Sequence, residues 1–222
     1  MTYAVFIAWL AMQKAPEWKI QDNSFLVEEA YNQDPRVVQH ITQMMRDSDH
    51  HWTGTFTQEW PMGGIKNQFS YTLPLDDSSD ALVNYRYQLL GNGETRLACA
   101  PRLSLIVGSR HDRHYGAQAL VPVSVVINDR FATHWDAGAT LERGRTTWNA
   151  AASVIFAARP EVHLMLENVW TSDDRALTVS PGIRWAYDFK SGLQIVPGLA
   201  VPVDTRSHQK AVLVYLSFEH PF

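Results

Sequence analysis

From Trp52 almost to the last residue, apolar and polar positions alternate with a period of two. Trp52, Gly54, Phe56, Gln58 and Trp60 form a largely aromatic face and Thr53, Thr55, Thr57 and Glu59 a polar one, as in a strand with different surroundings on its two sides. Phe69, Tyr71 and Leu73 oppose Gln68, Ser70 and Thr72 in the same way. Ala81, Val83, Tyr85, Tyr87 and Leu89 then oppose Asn84, Arg86 and Gln88, with Leu82 an apolar intruder. The design continues through 97–107, 115–127, 131–142, 148–158, 162–171, 177–187, 193–201 and 210–222. These segments make about eleven strands, separated by turn-rich pieces such as Gly91-Asn92-Gly93, Asn128-Asp129-Arg130 and Lys190-Ser191-Gly192.

Strands of roughly ten residues exceed the ~5–6 common in soluble proteins and match the ~9–11 that cross a bilayer at a tilt. Period alone does not distinguish inside from outside, but two features do. Aromatics crowd near strand ends, at Trp52, Trp60, Trp148, Trp170, Trp185 and Tyr187, where interfacial girdles sit. The polar faces are poor in Lys and Glu and rich in Gly, Ala, Ser and Gln, a poor water surface. The expectation is an all-β, antiparallel transmembrane barrel, apolar outside and polar within, whose rims carry alternately long and short connections. Long loops are expected at 108–114 and 204–209, medium ones at 171–175 and around Gly144, and short ones at 128–130, 159–161 and around Lys190. Even strand numbers are the rule for single-chain barrels, so about twelve are expected, the missing one lying upstream of Trp52 unless the N-terminal segment threads the lumen.

The N-terminal third reads differently. The run from Tyr3 to Met12 is apolar throughout but about half the ~20 residues of a spanning helix. Residues 1–16 are therefore either an atypical, shortened export signal or an ordinary N-terminal helix. In 17–51, Asp34-Pro35 supplies a helix cap and a first-turn proline, and Val37, Val38, Ile41, Met44 and Met45 share one helical face. A short amphipathic helix is expected there, plugging the lumen or, as the plainer choice, lying on the barrel's end. The barrel itself takes 52–222.

Composition narrows the partners. With 222 residues there is chain for one domain or two small ones. Nineteen Lys and Arg against 23 Asp and Glu leave a charge of −4 and no polybasic surface, so nucleic acid is not an expected partner. The lone Cys99 leaves no internal disulfide, cysteine zinc site or CxxC pair. Eight Trp call for a place where amphipathic rings are useful.

Several stretches resemble a known family. Asp22-Asn23-Ser24-Phe25-Leu26-Val27-Glu28-Glu29-Ala30-Tyr31-Asn32-Gln33, Val37-Val38-Gln39-His40-Ile41, Thr55-Phe56-Thr57-Gln58-Glu59-Trp60, Asn84-Tyr85-Arg86-Tyr87-Gln88-Leu89, Ser180-Pro181-Gly182-Ile183-Arg184-Trp185-Ala186 and Leu216-Ser217-Phe218-Glu219-His220-Pro221-Phe222 are similar to the bacterial outer-membrane transporters of the phenol-degradation meta-pathway. The resemblance spans about residues 20–222 and implies an outer-membrane barrel of transporter type, without established catalytic residues. The weak export signal and the trimmed loops at 76–80 and 109–114 depart from the family pattern. Phe222, with Phe218, Leu216, Val214 and Val212 at two-residue spacing before it, resembles the C-terminal signal by which the barrel assembly machinery recognises its clients.

Candidate chemistry is sparse. His134, Asp136 and Glu142 share a strand face, but no Gly-x-Ser-x-Gly elbow occurs, and Ser104, Ser124, Ser153 and Ser180 are spread over the polar faces. Hydrated wall residues bonded across strands are the preferred reading. Arg86, Arg102 and Arg184 recur on the polar faces with Glu59, Glu167 and Asp188 as opposite charges, either stabilising the wall or setting the field a solute meets. His111 and His114 flank Asp112, and His50 and His51 are adjacent, yet neither pair has further ligands at metal-site spacing. The expected function is passive uptake of small compounds, hydrophobic or aromatic ones among them. The solute path is lined by Asn84, Arg86, Arg102, Gln118, His134, Asp136, Glu167 and Arg184, and the surroundings are outer-membrane lipids. No cofactor is expected. The alternatives are a barrel enzyme acting on lipids and a non-conducting structural or binding barrel.

Overall fold

Alternation becomes a ladder in the computed structural model, which describes residues 3–16, 18, 20, 24–77, 79–173 and 175–222. Glu17, the first residue of the 17–51 segment, and Asp22 and Asn23 of the first resembling stretch lie outside the described residues. A helix, α1 (Tyr3–Met12), is followed by β1 (Val37–Arg46), β2 (Trp52–Pro61), β3 (Asn67–Pro74), β4 (Ala81–Tyr87), β5 (Leu97–Cys99), β6 (Arg102–Val107), β7 (Tyr115–Val126) and β8 (Phe131–Glu142). Then come β9 (Arg145–Arg159), β10 (Val162–Thr171), β11 (Leu177–Trp185), β12 (Tyr187–Asp188), β13 (Gln194–Ala200), β14 (Val203–Asp204) and β15 (Val212–Pro221).

Every pairing is antiparallel, and the ring runs β13-β15-β1-β2-β3-β4-β6-β7-β8-β9-β10-β11 and closes by β11 against β13. The result is a closed barrel of twelve strands. The short strands extend their neighbours without changing register: β5 continues β6 along β7, and β12 and β14 prolong the β11–β13 seam. Pro101 and Pro202 fall at two of the interruptions, where a residue without an N–H breaks a ladder and leaves its register intact.

The twelfth strand is β1, where a helix was expected. The positions that suggested a helical face also suit a strand, and β-branched Val37, Val38 and Ile41 favour it. Asp34 and Pro35 make a turn closed by the Val37 N–H on the Asp34 carbonyl, with Arg36 at φ 67°. Ladders to β2 on one side and β15 on the other, the second running the whole length of β1, decide the outcome, because only this segment completes the ring. At the other end of the chain, α1 is a helix with Tyr3 and Met12 largely exposed. Loop lengths follow the expected alternation only in part. Arg143 and Gly144, both at positive φ, make a two-residue turn where a medium loop was expected, and the short connection expected around Lys190 is the five-residue loop 189–193 between β12 and β13.

Side chains sort by face as in a membrane barrel. Leu103, Tyr115, Trp135, Trp148 and Leu166 stand exposed outside, whereas Gln39, Gln68, Asn84, Ser124, Ser180 and Ser217 are buried inside. This inverts the soluble arrangement and offers lipid an apolar belt. We expect the detergent-refolded chain to migrate faster on a gel unboiled than boiled. Thr42→Pro, in the middle of β1 at an outward position opposite Phe56 and Leu216, should weaken or abolish that shift, because the proline removes one ladder N–H and its ring clashes with the strand that N–H faced.

Candidate functional site

The chain before β1 turns into the barrel and crosses it. Residues 24–33 contain no helix or strand, so their backbone donors have no ladder, and in an interior this crowded each unmet N–H costs about 1–3 kcal/mol. The wall supplies the acceptors. Glu167 Oε1 on β10 takes the N–H of Leu26 at 2.8 Å and of Val27 at 3.1 Å. Asp136 Oδ2 on β8 takes that of Glu28 at 2.7 Å, and Ser124 Oγ on β7 that of Ala30 at 2.7 Å. Gln88 Oε1 and Gln68 Oε1 take those of Asn32 and Gln33 at 2.9 and 2.7 Å.

One apolar anchor fixes the start of the crossing. Phe25 packs on Tyr215 with ring centroids 4.9 Å apart, in a notch between Gly182 of β11 and Gly198 of β13. A Cβ on Gly198 would stand 2.3 Å from the tip of the Phe25 ring, and one on Gly182 3.0 Å from its edge. The glycines are therefore needed for the depth of the notch.

Charge fixes the rest. Glu28 reaches β4 and β6, pairing with Arg86 Nη2 at 3.0 Å and with Arg102, while Arg86 Nη1 also donates to the Tyr31 carbonyl at 2.8 Å. Glu29 turns to the opposite wall, 3.0 Å from Arg184 Nη2 on β11 and 3.7 Å from His134 Nε2. The segment thus spans from the β11/β13 wall to the β4 wall across the ring, and Glu28 and Glu29 pair with arginines on both.

All eight residues singled out from the sequence sit on the inner wall. Arg86, Arg102, His134, Asp136, Glu167 and Arg184 meet the crossing segment as described. Gln118 steadies Arg102 and donates to Thr140 Oγ1 at 3.0 Å, and Asn84 donates to Ser70 Oγ at 3.1 Å. The arginines form close ion pairs with Glu28 and Glu29, which the sequence did not single out. Glu59 accepts from Gln68 Nε2 at 2.8 Å, Glu167 serves backbone N–H groups, and exposed Asp188 accepts from Gln194. Phe25, Glu28, Glu29 and the glycine notch went unnoticed. The available signal was a pair of adjacent carboxylates inside an otherwise apolar stretch, upstream of the helix expected from Asp34.

Ser124 stands beside His134, Oγ to Nδ1 2.7 Å, with Glu29 beyond, the order a serine hydrolase uses. Both residues are 1% exposed, Ser124 already takes the Ala30 N–H, and the cavity bordered by Tyr31, His134 and Arg184 holds about 10 Å³. That is room for one water and none for an acyl chain. A wider cavity of about 570 Å³, bordered by Trp18, Asp34, Glu94 and Asp188, opens at the rim carrying both strand ends and stops at the segment.

At the far rim His114 bridges two neighbouring loops. Its Nε2 lies 2.6 Å from Glu142 Oε1 and 3.4 Å from Asp80 Oδ2, and its Nδ1 lies 2.8 Å from the Asp112 carbonyl. His111 stays exposed, so the two-histidine pair does not form. Arg143, 3.1 Å from the His114 ring and paired with Asp112, brings positive charge to the cluster and makes it an ion-pair clasp rather than a cation site. The Asp112 carbonyl chiefly, with Asp80 and Glu142, raises the His114 pKa above its ordinary 6.5, against the opposing effects of desolvation and Arg143.

The class of fold follows from the comparisons. No protein-family model and no curated sequence matches the chain. Among solved structures, the KdgM porin matches with a TM-score of 0.62 at 9% identity over 83% of this chain and 99% of that one. An outer membrane channel from Pseudomonas putida F1 matches with a TM-score of 0.61 at 11% identity, over 87% and 98%. The fold is that of outer-membrane channel barrels.

Two outcomes are expected. Phe25→Ala, or Gly198→Ala, which drives a methyl into the ring, should loosen the segment by about 3 kcal/mol, raising amide exchange at Leu26 and Val27 roughly a hundredfold. A raised folded pKa makes the His114 clasp strongest below the ordinary histidine range and lost as pH rises through the raised value. An NMR titration should show His114 titrating lower in Glu142→Gln.

Proposed function

We propose that this chain is an outer-membrane channel for the passive passage of small solutes, held shut by residues 24–33. The observation that carries the reading is the way the lumen is filled. The crossing segment is not a strand of the sheet. It is held by side chains of the wall and one ring in a notch, contacts that can be released without opening the barrel's ladder. The solute path is the inner wall bared when the segment leaves: Asn84, Arg86, Arg102, Gln118, His134, Asp136, Glu167 and Arg184. Such a wall favours solutes with polar groups to offer. In the same proposal the apolar belt faces outer-membrane lipids, and the terminal aromatic Phe222, with Phe218 before it, is the mark read by the barrel assembly machinery.

Planar-bilayer recording tests this. The full chain should conduct rarely, and a variant lacking residues 24–33 that keeps its heat-dependent mobility should conduct steadily. A folded deletion variant without current overturns the channel reading and leaves a structural or binding barrel.

A further inference from the structure

Arg86 and Arg102 lie directly opposite each other in the β4–β6 ladder, both largely buried. Like charges in that position destabilise a sheet pair unless an anion bridges them. The bridging anion is the Glu28 carboxylate, each oxygen of which takes one guanidinium. One strand beyond β7, Asp136 accepts the N–H of the same residue through Oδ2, while its Oδ1 is buried without a hydrogen bond and the residue is 7% exposed. A carboxylate with one oxygen engaged and the other bare has room for a further donor, which a backbone N–H does not supply and an ammonium does.

We propose that Arg86, Arg102 and Asp136 form a binding site for small zwitterionic amino-carboxylates, and that Glu28 occupies it as an internal stand-in. This rests on the channel reading above, because the site is bared only when residues 24–33 leave. Glu28 also sets the size of the ligand. Its nitrogen and its side-chain carboxyl carbon are separated by three carbons, the skeleton of 4-aminobutyrate. The two guanidiniums hold the carboxylate, and both oxygens of Asp136 take N–H donors of the ammonium. Butyrate pairs the two guanidiniums but leaves Asp136 buried without a donor once the Glu28 N–H is gone, and n-butylamine pairs Asp136 but leaves the opposed guanidiniums without an anion, so each binds less well than the zwitterion that pairs all three.

The test is block of the potassium chloride current through the variant lacking residues 24–33. 4-Aminobutyrate should block at roughly tenfold lower concentration than butyrate or n-butylamine, the difference that one charge-assisted hydrogen bond makes. Asp136→Asn should remove the preference over butyrate, and Arg102→Gln should weaken block by both carboxylates, each in a variant that keeps its heat-dependent mobility. Equal block by the three compounds, or a preference that survives both substitutions, overturns the zwitterion site while the current itself upholds the channel. No current before any blocker is added overturns the channel reading, and this proposal with it.

Discussion

Everything in this molecule answers to one constraint: a barrel that turns its apolar side outward must satisfy a crowded polar interior. Twelve strands bring Gln, Ser, Asn, Arg, His and carboxylates inward, and groups of that kind, dry and unpaired, would cost several kcal/mol apiece. The crossing segment solves the problem from the other side. Its own backbone lacks a ladder, so its donors and the wall's acceptors satisfy each other. Glu167, Asp136, Ser124, Gln88 and Gln68 act as a borrowed strand edge.

Closure and filling are linked through the same stretch of chain. β1 completes the ring between β2 and β15, and the turn at Asp34 and Arg36 sends the preceding residues back inside. Gln33, the last of the crossing residues, donates to Gln39 near the start of β1. The segment that fills the lumen is thus tethered to the strand that closes it. Its grip is of a different kind from the ladder's, resting on backbone hydrogen bonds to side chains of the wall, one ring in a glycine notch and a few ionic contacts. In the proposed channel, a wall held by the ladder and a filling held by these contacts suit gated passage.

The arrangement of charge also bears on the serine and histidine of the inner wall. Ser124, His134 and Glu29 are in line, but the contacts that align them also bury them, and Glu29 belongs to the segment that seals them in. The arginines are more informative. A wall that needed only stability would pair Arg86 and Arg102 with carboxylates of neighbouring strands, whereas both turn to a residue of the filling.

Much of this was legible beforehand because a strand's period of two is local. The faces of β2, β3, β4, β7 and β8, the inward placement of Arg86, Arg102, His134, Asp136, Glu167 and Arg184, and the membrane-barrel class follow from alternation and strand length. Alternation could not decide β1, whose apolar positions fit either period, so the closing strand waited on its two partners. Nor could it show that residues more than a hundred positions apart, Glu28 and Asp136 or Leu26 and Glu167, meet across the lumen. The sequence by itself determined which side chains a strand presents together, because neighbours in the chain set a strand's faces. Only the tertiary structure decided what fills the space those faces enclose, because that depends on a segment without a period, positioned by partners that the chain brings from far away.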